Sequence, residues 1–179
     1  MKKVHRYGDI KPLFTSGKIR AFSDIFDEIP KTVIAEYLGI EKSRFNELID
    51  LPGGLKVKHL IRLAGRFELT LQDILSLIVS KLPDEKIDER MKDRRYHKIR
   101  TLVETRTITL FEDIVERVTR SQLARDLGKK RDRIKKLTEH VEEFSVRDID
   151  KIGKLCDLTP DQIFQLIEAQ YTKQSRTIT

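Results

Sequence analysis

The chain has 179 residues, with 36 lysines and arginines against 29 aspartates and glutamates, a formal charge of +7 and a pI near 9.5. It has no run of 18 apolar residues and no apolar stretch behind its charged first residues, so neither a membrane span nor a secretory leader is expected. A lone cysteine, Cys156, excludes a disulfide framework and is expected to be a small buried apolar residue in a reducing compartment.

In chain order, Ile10, Leu13 and Phe14 form a short apolar stripe at helical spacing, broken by Ser16-Gly17. Ile19, Phe22, Ile25, Phe26 and Ile29 form a second, ended by Pro30, a residue suited to the first turn of the next helix and not to the interior of this one. Val33, Ile34 and Leu38 mark a third helix closed by Gly39; Ile40, Phe45, Leu48 and Ile49 mark a fourth, stopped by Leu51-Pro52-Gly53-Gly54. Leu60, Leu63, Ala64 and Phe67 recur at i, i+3, i+4 and i+7, and Ile74, Leu75 and Ile78 form the last stripe of this half. Strand alternation is absent, so the expected fold class is all-α.

From Leu82-Pro83-Asp84-Glu85 onward no glycine or proline occurs until Gly128, and Ile87, Met91, Ile99, Leu102 and Val103 share a helical face with some drift. One linker helix from near Pro83 to near Thr105 is expected, a semi-rigid spacer of roughly 33 Å at about 1.5 Å per residue. The expected domains are residues 1–82 and, with the linker helix, 83–179.

The second half repeats the first. Arg6 to Ile78 lies on Arg95 to Ile167, 89 positions later, without a gap, and 19 of the 73 aligned residues are identical. Helix-start signals in the second copy fall at matching places: Thr119 with Gln122 and Thr159 with Gln162 fit a capping box, and Ser145 with Asp148 a weaker version. Each copy carries an excess of three positive charges, as expected if each contacts phosphate on its own.

Among the identities are Ala35, Leu38, Gly39, Arg44 and Leu48 against Ala124, Leu127, Gly128, Arg133 and Leu137. This is the spacing of a helix-turn-helix: a small residue where two helices cross, a glycine that accepts positive φ, and inward positions at Ile34, Leu38, Ile40, Phe45 and Leu48. Lys129 replaces Ile40 in the second copy and is expected to remove an apolar contact at the turn. The remaining residues of the second helix are Lys42, Ser43, Arg44, Asn46 and Glu47, donors and acceptors suited to base edges. Their counterparts Lys130, Arg131, Asp132, Arg133, Lys135 and Lys136 are mostly basic and better suited to phosphate, although Arg131 could read a guanine. Lys31 with Thr32, and Arg120 with Ser121, open the first helix of each pair; phosphate binding and simple capping both fit Thr32 and Ser121.

The stretch Lys31 to Ile78, with Ala35, Gly39 and the later Val57-Lys58-His59-Leu60-Ile61-Arg62-Leu63-Ala64 helix, resembles the Cro and lambda-repressor-like (XRE) DNA-binding family, and Arg120 to Ile167 resembles it again. The resemblance implies two tandem helix-turn-helix domains. It places base contacts at the start of each second helix and one turn on, at Lys42, Ser43 and Glu47 and at Arg131, Asp132 and Lys136. Ser16 to Pro30 and Thr105 to Thr119 depart from the family by an added short helix.

The expected function is sequence-specific binding of double-stranded DNA by a cytoplasmic, nucleoid-associated transcriptional regulator, a repressor in kind, with unequal recognition helices on one asymmetric site. It would act as a monomeric pseudo-dimer or as a homodimer. The alternative is a helix-turn-helix antitoxin or adaptor whose main partner is a protein, to which Glu36, Glu41, Glu47 and Asp132 lend weight, since carboxylates repel phosphate. No enzyme, cofactor or metal site is expected: His5, His59, His97 and His140 lack ligand spacing and are expected at the surface, and Pro52-Gly53-Gly54 is too short for a phosphate loop.

Overall fold

The structure, a computed structural model, describes residues 10–82, 87 and 94–177. Over these residues it is helical with no β-strand, and the chain divides into two compact units, Met1–Pro83 and Asp84–Thr179. None of the described helices is long and apolar enough to cross a membrane.

The first unit runs α1 (Ile10–Thr15), a 3-10 turn (Phe22–Asp24) leading into α2 (Ile25–Glu28), α3 (Lys31–Leu38), α4 (Lys42–Asp50), α5 (Val57–Phe67) and α6 (Leu71–Val79). The second runs α7 (Ile99–Glu104), α8 (Phe111–Val118), α9 (Arg120–Asp126), α10 (Arg131–Glu139), α11 (Val146–Cys156) and α12 (Pro160–Thr177). The pairs α4 and α10, and α5 and α11, have the same bounds 89 residues apart, as do the 3-10 turns Pro52–Gly54 and Val141–Glu143. The repeat in the sequence is therefore a repeat in the backbone.

Shared caps explain this register. The Asp24 carboxylate accepts from the amides of Arg20 (2.8 Å) and Ala21 (2.9 Å), and its aligned Asp113 accepts from Thr109 and Leu110, both at 2.9 Å. These amides have no partner within the helix that follows, so one retained carboxylate starts the second helical segment of each unit. Thr70 with Asp73, and Thr159 with Gln162, form reciprocal capping boxes at the starts of α6 and α12. The Ser145 hydroxyl accepts from the Asp148 amide at 3.2 Å. At α9 only half of the expected box forms. Thr119 accepts from the Gln122 amide, but the Gln122 side chain is buried and donates to Asp126 one turn on at 3.0 Å.

Apolar faces meet in each unit to make its core, with the ring volume moved between aligned positions. In the first unit Phe22, Phe26 and Phe45 stack edge to face at 5.3 and 5.8 Å. The second has Ile134 in place of Phe45 but Phe144 in place of Leu55, packed on Phe111 at 4.9 Å. Likewise Cys156, fully buried as expected, stands for Phe67 while Phe164 stands for Leu75. Exchanges of this kind keep total volume, which cores tolerate better than a net loss.

Two further expectations are corrected. A continuous linker helix does not hold over the residues described: Ile87 lies outside any helix, Arg94–Tyr96 is a 3-10 turn, His97 and Lys98 turn again, and only Ile99–Glu104 is helical. Residues 83–86 and 88–93 lie outside the described set. The reason is tertiary: Tyr96 is fully buried and its hydroxyl donates to Asp126, 30 residues on, at 2.7 Å, so this stretch belongs to the second core. His59 is the other correction. It is 7% exposed, with Nδ1 accepting from the Lys56 amide at 3.1 Å at the start of α5. His97 and His140 are exposed, and His5 lies outside the described residues.

Candidate functional site

In each unit two helices meet across a short turn, of three residues between α3 and α4 and of four between α9 and α10. Gly39 follows α3 at φ 69° and ψ 34°, its amide donating to Glu36 O (3.0 Å) and the Ile40 amide to Ala35 O (2.9 Å). Gly128 (φ 65°) repeats this, with bonds from Gly128 to Arg125 O (3.0 Å) and from Lys129 to Ala124 O (2.7 Å). Left-handed backbone at this point satisfies the last carbonyls of the helix. A Cβ added to either glycine would meet nothing within 4 Å, so φ alone calls for glycine there. Ala35 and Ala124 are both buried.

The outer helices, α4 and α10, turn Phe45 and Leu48, and Ile134 and Leu137, into the core. Every other residue singled out from the sequence is exposed: Lys42, Ser43, Arg44, Asn46 and Glu47 on α4; Lys130 before α10; and Arg131, Asp132, Arg133, Lys135 and Lys136 on it. Lys31, Thr32, Arg120 and Ser121 are exposed at the starts of α3 and α9. Thr32 and Ser121 do not cap, because Pro30 and Thr119 hold the capping positions. Lys31 instead lies 5.8 Å from the centre of the Phe26 ring.

The two outer faces differ in charge. On α4 the Arg44 guanidinium pairs with the Glu47 carboxylate, both side chains about three-fifths exposed, and the Ser43 hydroxyl donates to Glu41, which precedes the helix. On α10 the cations are Arg131, Arg133, Lys135 and Lys136, against Asp132 and Glu139. The one ion pair along it, Lys135 with Glu139, is long at 4.0 Å. Glu41 and Glu47 align with Lys130 and Lys136, so two carboxylates of the first face are amines on the second.

Different braces hold the two helix pairs. In the first unit the Arg62 guanidinium of α5 donates to Leu38 O at 3.2 Å, the Tyr37 hydroxyl donates to Arg62 O at 3.2 Å, and Arg66 lies 5.5 Å from the Tyr37 ring centre. Asp126 takes the place of Tyr37 in the second unit and is held by Tyr96 and Gln122. Lys129 does not simply delete the contact of Ile40: it forms a half-buried pair with Asp148 at 3.1 Å, and Asp148 in turn replaces His59. The largest difference is Gln170 on the long last helix. Fully buried, it accepts from the Glu112 amide of α8 at 2.7 Å and donates to Thr138 O of α10 at 2.8 Å, while Gln174 donates to the same carbonyl at 3.0 Å. It links a free amide at one helix start to a free carbonyl at another helix end.

Tyr96 and Gln170 are absent from the residues the sequence singled out, and Glu41 entered there only as a carboxylate weighing toward a protein partner. Tyr96 had a signal there, its identity with Tyr7 in the repeat, and Glu41 had its alignment with Lys130, whereas Gln170 lies beyond the aligned copies. No protein-family model matches the chain, and neither a curated protein nor a solved structure matches it.

Proposed function

We propose that the chain is a sequence-specific double-stranded DNA-binding protein, a transcriptional regulator built from two tandem helix-turn-helix units of the lambda-repressor-like kind. The observation that carries this is the repeated helix pair: the same glycine turn and buried alanine occur twice in register, each followed by a helix whose outer side is wholly polar and exposed. A helix of about 10–12 Å diameter fits the major groove, and a polar outer face offers it donors and acceptors for base edges. Lys31, Thr32, Arg120 and Ser121 would meet phosphates beside the groove.

Two such units in one chain supply what a single-unit protein obtains by dimerising, two recognition helices for half-sites about one DNA turn of roughly 34 Å apart. The second contact then forms at high effective concentration. The test is a mobility shift of the full chain on random duplex at low salt. Retention at micromolar protein is the expected result; no shift would sink the DNA reading and leave a protein partner as the alternative.

A further inference from the structure

Resting on that DNA-binding reading, we infer that Glu47 is a specificity-determining residue: with Arg44 it selects a G·C pair and turns α4 away from bare phosphate. Arg44 and Glu47 stand one helical turn apart, mutually paired and about three-fifths exposed. Against phosphate this pair gains little, because the carboxylate repels the backbone and holds the guanidinium that would grip it. Glu41 adds to the effect, its carboxylate already standing at the α4 start and accepting from Ser43.

Base edges reverse the balance. Guanine O6 and N7 accept from a guanidinium, and the N4 amine of cytosine donates to a carboxylate. Arg44 and Glu47 therefore exchange one another for guanine and cytosine in the same or the neighbouring base pair, with both groups hydrogen-bonded. Other sequences leave Glu47 facing acceptors. The aligned face of α10 lacks this gate: Arg133 stands for Arg44, but Lys136 stands for Glu47 and Lys130 for Glu41. The second unit thus holds duplex of any sequence, and the first rewards only the matching one.

The experiment is selection of bound sites from a random duplex pool with the full chain, its Glu47→Gln form and its Glu47→Lys form, folding being checked by circular dichroism. For the unaltered chain a G·C pair is expected at one position of the first half-site. Glu47→Gln should relax or move that preference, losing roughly 5- to 100-fold of discrimination there. Glu47→Lys should bind unrelated duplex more tightly and steepen its salt dependence by about one unit of slope. An unchanged preference in Glu47→Gln, or unchanged affinity for unrelated duplex in Glu47→Lys, overturns this assignment while leaving the DNA reading intact. Failure of the unaltered chain to retain any duplex overturns both.

Discussion

At single residues, the turn glycines and the capping aspartates make the clearest demands. Gly39 and Gly128 sit in left-handed backbone with open space where a Cβ would go, so an alanine there is strained without being crowded. Gly39→Ala and Gly128→Ala should each destabilise their own unit by about 1 kcal/mol, the usual cost of that conformation for a residue with a side chain. Urea unfolding measures this, and an unchanged midpoint would show that the turn accepts another conformation. Gly54 differs, since a Cβ there would stand 2.6 Å from Leu48 Cδ2, a matter of space and not of φ.

The amides of Arg20 and Ala21, bonded to its carboxylate, hold Asp24 below its ordinary value of 3.8. The charged form is therefore favoured by folding. Its contribution is complete above the unfolded value and disappears as pH falls below 3.8 through the lowered folded value. Asp24→Asn should lower the melting temperature at neutral pH and flatten the pH dependence of stability over that acid range. Parallel curves for the two proteins would remove Asp24 from the account.

Among helices, α12 decides how the second outer helix is held. Gln170 is the only described group joining the start of α8 to the end of α10 through one side chain, and it is fully buried. Gln170→Ala orphans the Glu112 amide and leaves the Thr138 carbonyl to Gln174 alone, and should cost the second unit about 1–3 kcal/mol, with the first unit unaffected. A loss under about 0.5 kcal/mol by urea unfolding would mean that water replaces both bonds. The contrast between Ile40 and His59 in the first unit and Lys129 and Asp148 in the second belongs at this scale too: both positions differ between the copies, and in the second unit they form an ion pair. A reading of the Lys129 position alone foresees only a lost contact, because its partner lies on another helix.

Over the whole chain the net charge is shared by two units whose outer helices carry different charge patterns. Lys135→Ala with Lys136→Ala should weaken binding to every duplex and flatten the dependence of log affinity on log salt by about two units of slope, whereas Arg44→Ala or Asn46→Ala should relax sequence preference. Equal salt slopes for the double lysine variant and the unaltered chain would place phosphate contact elsewhere. Since the two outer faces differ at most positions, the selected site should be asymmetric. A perfect inverted repeat from a monomeric protein would contradict two unequal readers in one chain.

The sequence by itself determined the helical class, the 89-residue register, the glycine turns and the exposure of the charged outer faces. All of these rest on local periodicity and on backbone conformations that few residue types adopt. It misled where a structural demand was met without its usual residue. Gly17 (φ 73°) marks the end of α1 in the sequence, but the same turn after α7 is made by Arg106 (φ 57°), so the second copy lacked that break and its first helix was joined to the linker. Only the tertiary structure decided the burial of Tyr96 and His59, the pairing of Lys129 with Asp148 and the bridge made by Gln170. Three of these depend on partners at least 19 residues away. Such partners are chosen by how the helices pack, and no spacing along the chain records that choice.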